Sequence, residues 1–344
     1  MVVNFNIMRL SHLVTLLFTT ATLTLSAQKS EFLEVIEQGI EYHDAGDYSK
    51  ALKEYKKALK ISPDSHLVQY EMGNTYFAMS DYKNAIKYAD LVIDNNSDYL
   101  DQAYILKGNA LDSQGKSKDA IKTYKKGIKA FDDNHLLHFN LALTYYNNDN
   151  VKAAEKSLMD AINVNPYHSS SNLLLGFIQI DKGERIPSVL CMYKFLMIEA
   201  SSSRSKTAYA ILMEQMKMGV EQTDDNSISI SINSESESEF QAAELMLSLL
   251  EASRTVEENE DKTDAEMFFE NTDSFFAMLG EIRDKNDGFW WTNFVDFFYD
   301  MHNNEHVETF SYFISMSTEN EEVFEWLDSN EEKIDAFSEW YDKY

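Results

Sequence analysis

A small residue returns along this chain every 34 or 35 positions. Gly39, Gly73, Gly108, Ala142 and Gly176 are spaced by 34, 35, 34 and 34 residues, and twelve residues after each stands Ala51, Ala85, Ala120, Ala154 or Ser188. A period of this length is one supersecondary unit repeated, each copy burying its apolar face against the next. Two small residues twelve apart suit a pair of antiparallel helices whose backbones approach closely, with the adjoining tyrosines filling the space beside them. Gly46, Gly115 and Gly183 fall where the first helix must end in a left-handed residue, and Pro63 and Pro166 where the second must stop. The columns predict five helical hairpins over residues 31–200. The fifth differs, with Pro187, Ser188 at the alanine column and Phe195 where Ala58 and Ala161 stand. A bulky side chain at a close-approach position predicts that this unit ends the stack and meets a different neighbour.

The first unit carries Gly39, Tyr42, Gly46, Tyr48, Ala51, Tyr55, Ala58 and Pro63. In this spacing the chain resembles the tetratricopeptide repeat family. The resemblance implies an all-α fold, a right-handed superhelical solenoid of five hairpins, followed here by an acidic α-helical C-terminal domain. It also implies a protein-binding scaffold rather than an enzyme, with no catalytic residue, metal or cofactor. Such a stack curves into a groove lined by the first helix of each unit. By register the groove takes Leu33, Ile36, Ile40 and His43 from unit one, and Tyr70, Asn74 and Phe77 from unit two. Gln102, Ile105, Asn109 and Asp112 follow from unit three, then Phe139, Leu143 and Tyr146 from unit four. This lining is apolar and aromatic, with Asn74 and Asn109 offering both donor and acceptor to an extended peptide backbone. About a third of these positions are expected to be core between units instead. Some family members clamp a C-terminal carboxylate with paired cations; the positions named here supply none.

Charge divides the chain. Residues 1–200 hold 24 acidic and 21 basic side chains, whereas residues 201–344 hold 34 and 9, together with all four tryptophans. So acidic a surface repels phosphate backbones and anionic membranes, which argues against a nucleic-acid partner. The 34-residue step disappears after position 200. Residues 201–238 read as a helix and an acidic, Ser-rich linker, in which Ser227 to Ile232 alternates as a short edge strand or extended segment does. Residues 239–344 read as an acidic helical domain. Ser238 with Gln241, Thr263 with Glu266, Thr318 with Glu321 and Ser329 with Glu332 each fit a capping box. Phe268, Phe269, Phe275, Phe276 and Leu279, then Trp290, Phe294, Phe297 and Met301, recur at helical spacing and predict buried faces.

Arg9 followed by the Thr-rich apolar run Leu13 to Leu25 and the small residues Ser26 and Ala27 forms a secretory signal pattern over residues 1–27. Its ending, Leu-Ser-Ala-Gln, is similar to signal peptides of the Bacteroidota. The expectation is an exported, periplasmic or extracellular protein without a membrane span after cleavage. Cys191, the only cysteine, reads as a small core residue.

Two motifs touch metal chemistry. His302-Asn-Asn-Glu305-His306 fits the H-x-x-E-H pattern of inverted zinc peptidases, which needs both histidines on one helix, but Asn303-Asn304 reads as a turn. A zinc hydrolase centred there, or a purely structural cation-binding component, is the alternative to the scaffold. Asp284 to Gly288 is like a calcium loop whose glycine comes early and whose twelfth position, Val295, lacks a carboxylate.

Overall fold

The computed structural model describes residues 28–95, 98–224, 227–231, 239–255, 259, 261–283 and 286–344. The signal pattern, Ser238, Asp284 and Lys285 lie outside them. The chain divides into two compact units, Met1–Asn148 and Asp149–Tyr344.

The first unit is a run of helices: α1 (28–44), α2 (Tyr48–Ile61), α3 (His66–Ala78), α4 (Tyr82–Asp94), α5 (Leu100–Ser113), α6 (Ser117–Ala130) and α7 (His135–Tyr146). From α2 to α7 each helix packs on the next, and α3, α5 and α7 also touch in a row. The small-residue columns sit at the closest approaches. Ala51, Ala85 and Ala120 are fully buried, and a Cβ on Gly39 or Gly108 would overlap the ring of Tyr55 or Tyr124. Each hairpin turns through one left-handed residue. Gly46 and Gly115 supply it in the first and third, at φ 77° and 74°, and Ser80 in the second at 59°.

The second unit continues with α8 (Val151–Val164), α9 (Ser169–Lys182), α10 (Arg185–Ile198) and α11 (Ser203–Lys217). An antiparallel ribbon follows, β1 (Val220–Asp224) with β2 (Ser227–Ile230), where Val220 pairs with Ile230. Then come α12 (Gln241–Ala252), α13 (Asp264–Glu281), a wide π turn (Trp291–Val295), α14 (Asp296–Asn303), α15 (Val307–Ile314), α16 (Glu321–Ser329) and α17 (Glu331–Tyr341).

Helix α10 is the axis of this unit. Every residue from Arg185 to Met197 is buried, because α9, α11, α12, α15 and the π turn all pack on it. Tyr193 stands at the centre among the rings of Phe268, Phe276, Phe298 and Phe310, its hydroxyl 2.9 Å from that of Thr272. Cys191 is fully buried and burial pushes its thiol well up, as an inert core residue requires. Arg185 is buried too, and its guanidinium donates to the Gln215 and Met216 carbonyls at 2.7 Å and to Ser248 Oγ at 2.7 Å. It thereby satisfies orphan carbonyls at the end of α11 and joins three helices through one fork of donors. These contacts explain why compactness divides the chain at 148/149 and not at 200/201, where the repeat period stops. The divergent fifth hairpin, α9 and α10, is enclosed by the acidic helices themselves.

Candidate protein-binding face

Each expected groove residue sits on the first helix of its hairpin, α1, α3, α5 or α7, and they divide by burial. Ile36 is only 3% exposed and belongs to the core with Ala51, Leu52 and Tyr55, so it is not available to a ligand. Ile40 and Ile105 are half-buried and lean on the same class of cluster. Leu33 and Leu143 are the open apolar positions, 47% and 36% exposed. Tyr70 stacks on Tyr99 with ring centres 5.8 Å apart, and Phe77 tilts against Tyr82 at 5.6 Å. Phe139 and Tyr146 are half-buried on α7.

Hydrogen bonds fix the polar members. His43 Nδ1 lies 2.8 Å from Thr75 Oγ1, which donates to the Glu71 carbonyl. Asn109 Oδ1 accepts the Tyr124 hydroxyl at 2.5 Å, and Asp112 accepts that of Ser117 at 2.8 Å. Asn109 is therefore partly committed to holding α5 against α6. Asn74 interacts with the Tyr70 hydroxyl and the Glu71 carboxylate. Gln102 Oε1 is buried without a partner.

Two residues of this face carry no signal in the sequence pattern. Glu71 is half-buried, one position after Tyr70 and three before Asn74, so it shares a flank with the latter. Burial and the neighbouring Asp44 carboxylate raise its pKa above the usual range. Tyr99 lies in the loop ahead of α5, where no helical period marks it. Tyr55, behind this face on α2, is fully buried, with its hydroxyl beside the Thr75 side chain.

Charge is segregated between the two helix classes. The second helices hold five lysines on α2, two on α4 and five on α6, against four acidic residues in all. The first helices hold five acidic residues on α1, one on α3 and two on α5, against only Lys29 and Lys107. Lys107 is paired with Asp90 of α4 at 2.5 Å.

The H-x-x-E-H residues lie in the second unit and do not share a helix. Helix α14 ends at Asn303, Glu305 is left-handed at φ 59°, and His306 precedes α15. The sharp turn removes the one-turn spacing of the two histidines. His302 Nδ1 lies 2.7 Å from Asp273 Oδ1, while His306 packs on Phe337 and Trp340; both rings border a cavity of about 550 Å³. Among the described residues no group of three or more His, Cys, Asp or Glu is arranged to hold a metal.

Comparison with known proteins identifies the repeats. Residues 39–80 match a family model described as TPR repeat, and residues 68–99 and 105–164 match models described as tetratricopeptide repeat. The chain is 33% identical over 115 residues to a TPR repeat-containing protein of Methanocaldococcus jannaschii, covering 33% of this chain and 20% of that protein. It is 28% identical over 189 residues to response regulator aspartate phosphatase E of Bacillus subtilis, covering 49% of this chain and 50% of that protein. The chain thus spans at most about half the length of these relatives. Among solved structures, PilF of Pseudomonas aeruginosa is similar at 16% identity and a TM-score of 0.48, covering 55% of this chain and 85% of that one.

Proposed function

The chain carries tetratricopeptide repeats over residues 39–99 and 105–164, and from that premise we propose that it is an exported scaffold that holds an extended segment of a partner protein along α1, α3, α5 and α7. The observation that supports this most is the row of half-exposed aromatic and amide side chains on adjacent first helices, Tyr70, Asn74, Phe77, Asn109, Phe139 and Tyr146. Binding is burial of partner side chains between these rings, with amides meeting the partner's backbone, and involves no covalent step. The acidic second unit favours basic partners at long range. Export rests on the pattern at residues 1–27, and among the described residues no helix is long and apolar enough to cross a membrane.

A photo-crosslinking residue placed at Phe139 or Tyr146 should capture a defined partner in the native organism's exported fraction, whereas one placed at Lys87 on α4 should not. Tyr70→Ala or Phe77→Ala should weaken that partner by about 1–2 kcal/mol, or roughly five- to thirtyfold. Equal capture from both helix classes would overturn the assignment.

A further inference from the structure

Helix α6 carries a row of cations along one face. Lys118, Lys122, Lys125 and Lys129 recur at steps of four, three and four residues, and all four are exposed. None forms an ion pair among the described residues, Asp119 of the same helix included; Lys125 Nζ lies 5.6 Å from the centre of the Tyr145 ring. Like charges one turn apart destabilise the helix that holds them. The lysines of α2 show the contrast, since Asp47 meets Lys50 at 2.7 Å and Glu54 meets Lys57 at 2.5 Å. The opposite row lies on α17. Glu332, Asp335 and Glu339, with Asp342 at the C-terminal cap, recur at steps of three, four and three residues. All four are exposed, and none forms an ion pair among the described residues, because Lys333 of this helix is taken by Glu308 at 2.5 Å. At about 1.5 Å of rise per residue the basic row is roughly 16 Å long and the acidic row roughly 15 Å. The neighbouring row on α16, Glu321, Glu325 and Asp328, reaches only about 10 Å by the same measure.

We propose that α6 of one copy docks antiparallel on α17 of a second copy, joining the chains head to tail. Each row is open in the chain that bears it, and a second copy presents a row of matching length and opposite sign. Antiparallel docking brings Lys118 to Asp342, Lys122 to Glu339, Lys125 to Asp335 and Lys129 to Glu332. It also joins two charges that each stand at the wrong end of their own helix: Lys118 in the first turn of α6 and Asp342 just past the last turn of α17. The contact is heterologous, so every docked pair leaves one α6 and one α17 free, and assembly continues into open chains or closes as a ring. Exposed ion pairs are individually weak, which makes the association reversible and sensitive to salt. Because α6 is a second helix, the face formed by the first helices stays open to its own partner.

The test is sedimentation velocity of the full chain over a dilution series. At about 0.1 M NaCl the Debye length of about 10 Å confines electrostatics to direct contacts, and the sedimentation coefficient should rise with protein concentration. About 1 M NaCl should weaken the association by about fivefold or more. A chain with Lys122→Glu and Lys125→Glu, and a second chain with Asp335→Lys and Glu339→Lys, should each lose the rise. Their equimolar mixture should regain it, since the first still offers an acidic α17 and the second a basic α6; that recovery also shows both variants folded. Lys53→Glu with Lys56→Glu on α2 should leave the rise unchanged. A wild-type chain that stays monomeric at every concentration, or a mixture that fails to recover association, would overturn the proposal. So would swaps that alter the sedimentation coefficient equally at every dilution, which would mean that one chain closes its own two rows.

Discussion

Lys194 enters the core of the second unit with no carboxylate among the described residues to meet it. It is 2% exposed, and its Nζ lies 3.4 Å from the centre of the Phe297 ring and 4.6 Å from that of Tyr167. Burial drives its pKa down from 10.5 to about 7, while the two ring faces favour the charged form. A depressed lysine pKa means that the unfolded chain holds the proton more tightly than the folded one. The resulting penalty is complete below pH 7 and fades as pH rises from about 7 toward 10.5. Lys194→Met, which keeps the stem and removes the charge, should therefore stabilise the unit at pH 7 by about 1–2 kcal/mol, or some 2–4 °C per kcal/mol in melting temperature. The gain should shrink by pH 10; an equal loss at pH 7 would show that the rings outweigh desolvation. Sequence could not foresee this site, since Lys194 sits in an apolar helix and only residues 27 positions before it and 103 after it supply its cage.

Among the helices, the repeat was legible because small side chains are a local and unambiguous demand of close packing. Gly108→Ala, though a minimal change, should cost about 1–3 kcal/mol, measured by urea unfolding, since its Cβ would overlap the Tyr124 ring fixed between α5 and α6. A neutral result would mean that the hairpin gives way more easily than close packing allows. The acidic region was legible less evenly. Thr263 and Glu266 do form the capping box read from their spacing, but α16 and α17 begin from Asn320 and Asn330, one or two residues past the Thr318 and Ser329 expected to cap them. At α16 the Asn320 side-chain oxygen accepts the Glu322 N–H, and Asn and Thr are of comparable capping strength, so spacing alone does not choose between them; Asn330 makes no such bond at α17. Ser202 and Ser205 close a box that the Glu/Gln pattern misses. The burial of Ile36 and of Glu71 depends on neighbouring hairpins, and the period reports which face a residue shares but not how far the next unit covers it.

On the scale of the molecule, charge and aromatic content lie on the same side of the division. Residues 149–344 hold 40 acidic and 14 basic side chains and every tryptophan. Self-repulsion of this kind is screened by salt, whose Debye length falls from about 30 Å at 0.01 M to about 3 Å at 1 M. Melting followed by tryptophan fluorescence reports on this unit alone and should shift upward between 0.01 and 0.5 M NaCl; a downward shift would mean that its ion pairs outweigh the repulsion. The wide turn at Trp291–Val295, closed from the Asp296 N–H to the Trp291 carbonyl, has its own bearing on this unit. It acts as a phase shifter. A π turn takes up one more residue than an α turn, and each residue of helix carries about 100° of rotation. Trp291 and Phe294 within it and Phe297, Phe298 and Met301 after it are all buried. The segment fixes the angular setting of everything downstream: Asp296 toward Arg283, Phe297 beneath Lys194, His302 against Asp273. One residue more or fewer in that turn would keep the helix and rotate all three contacts out of line.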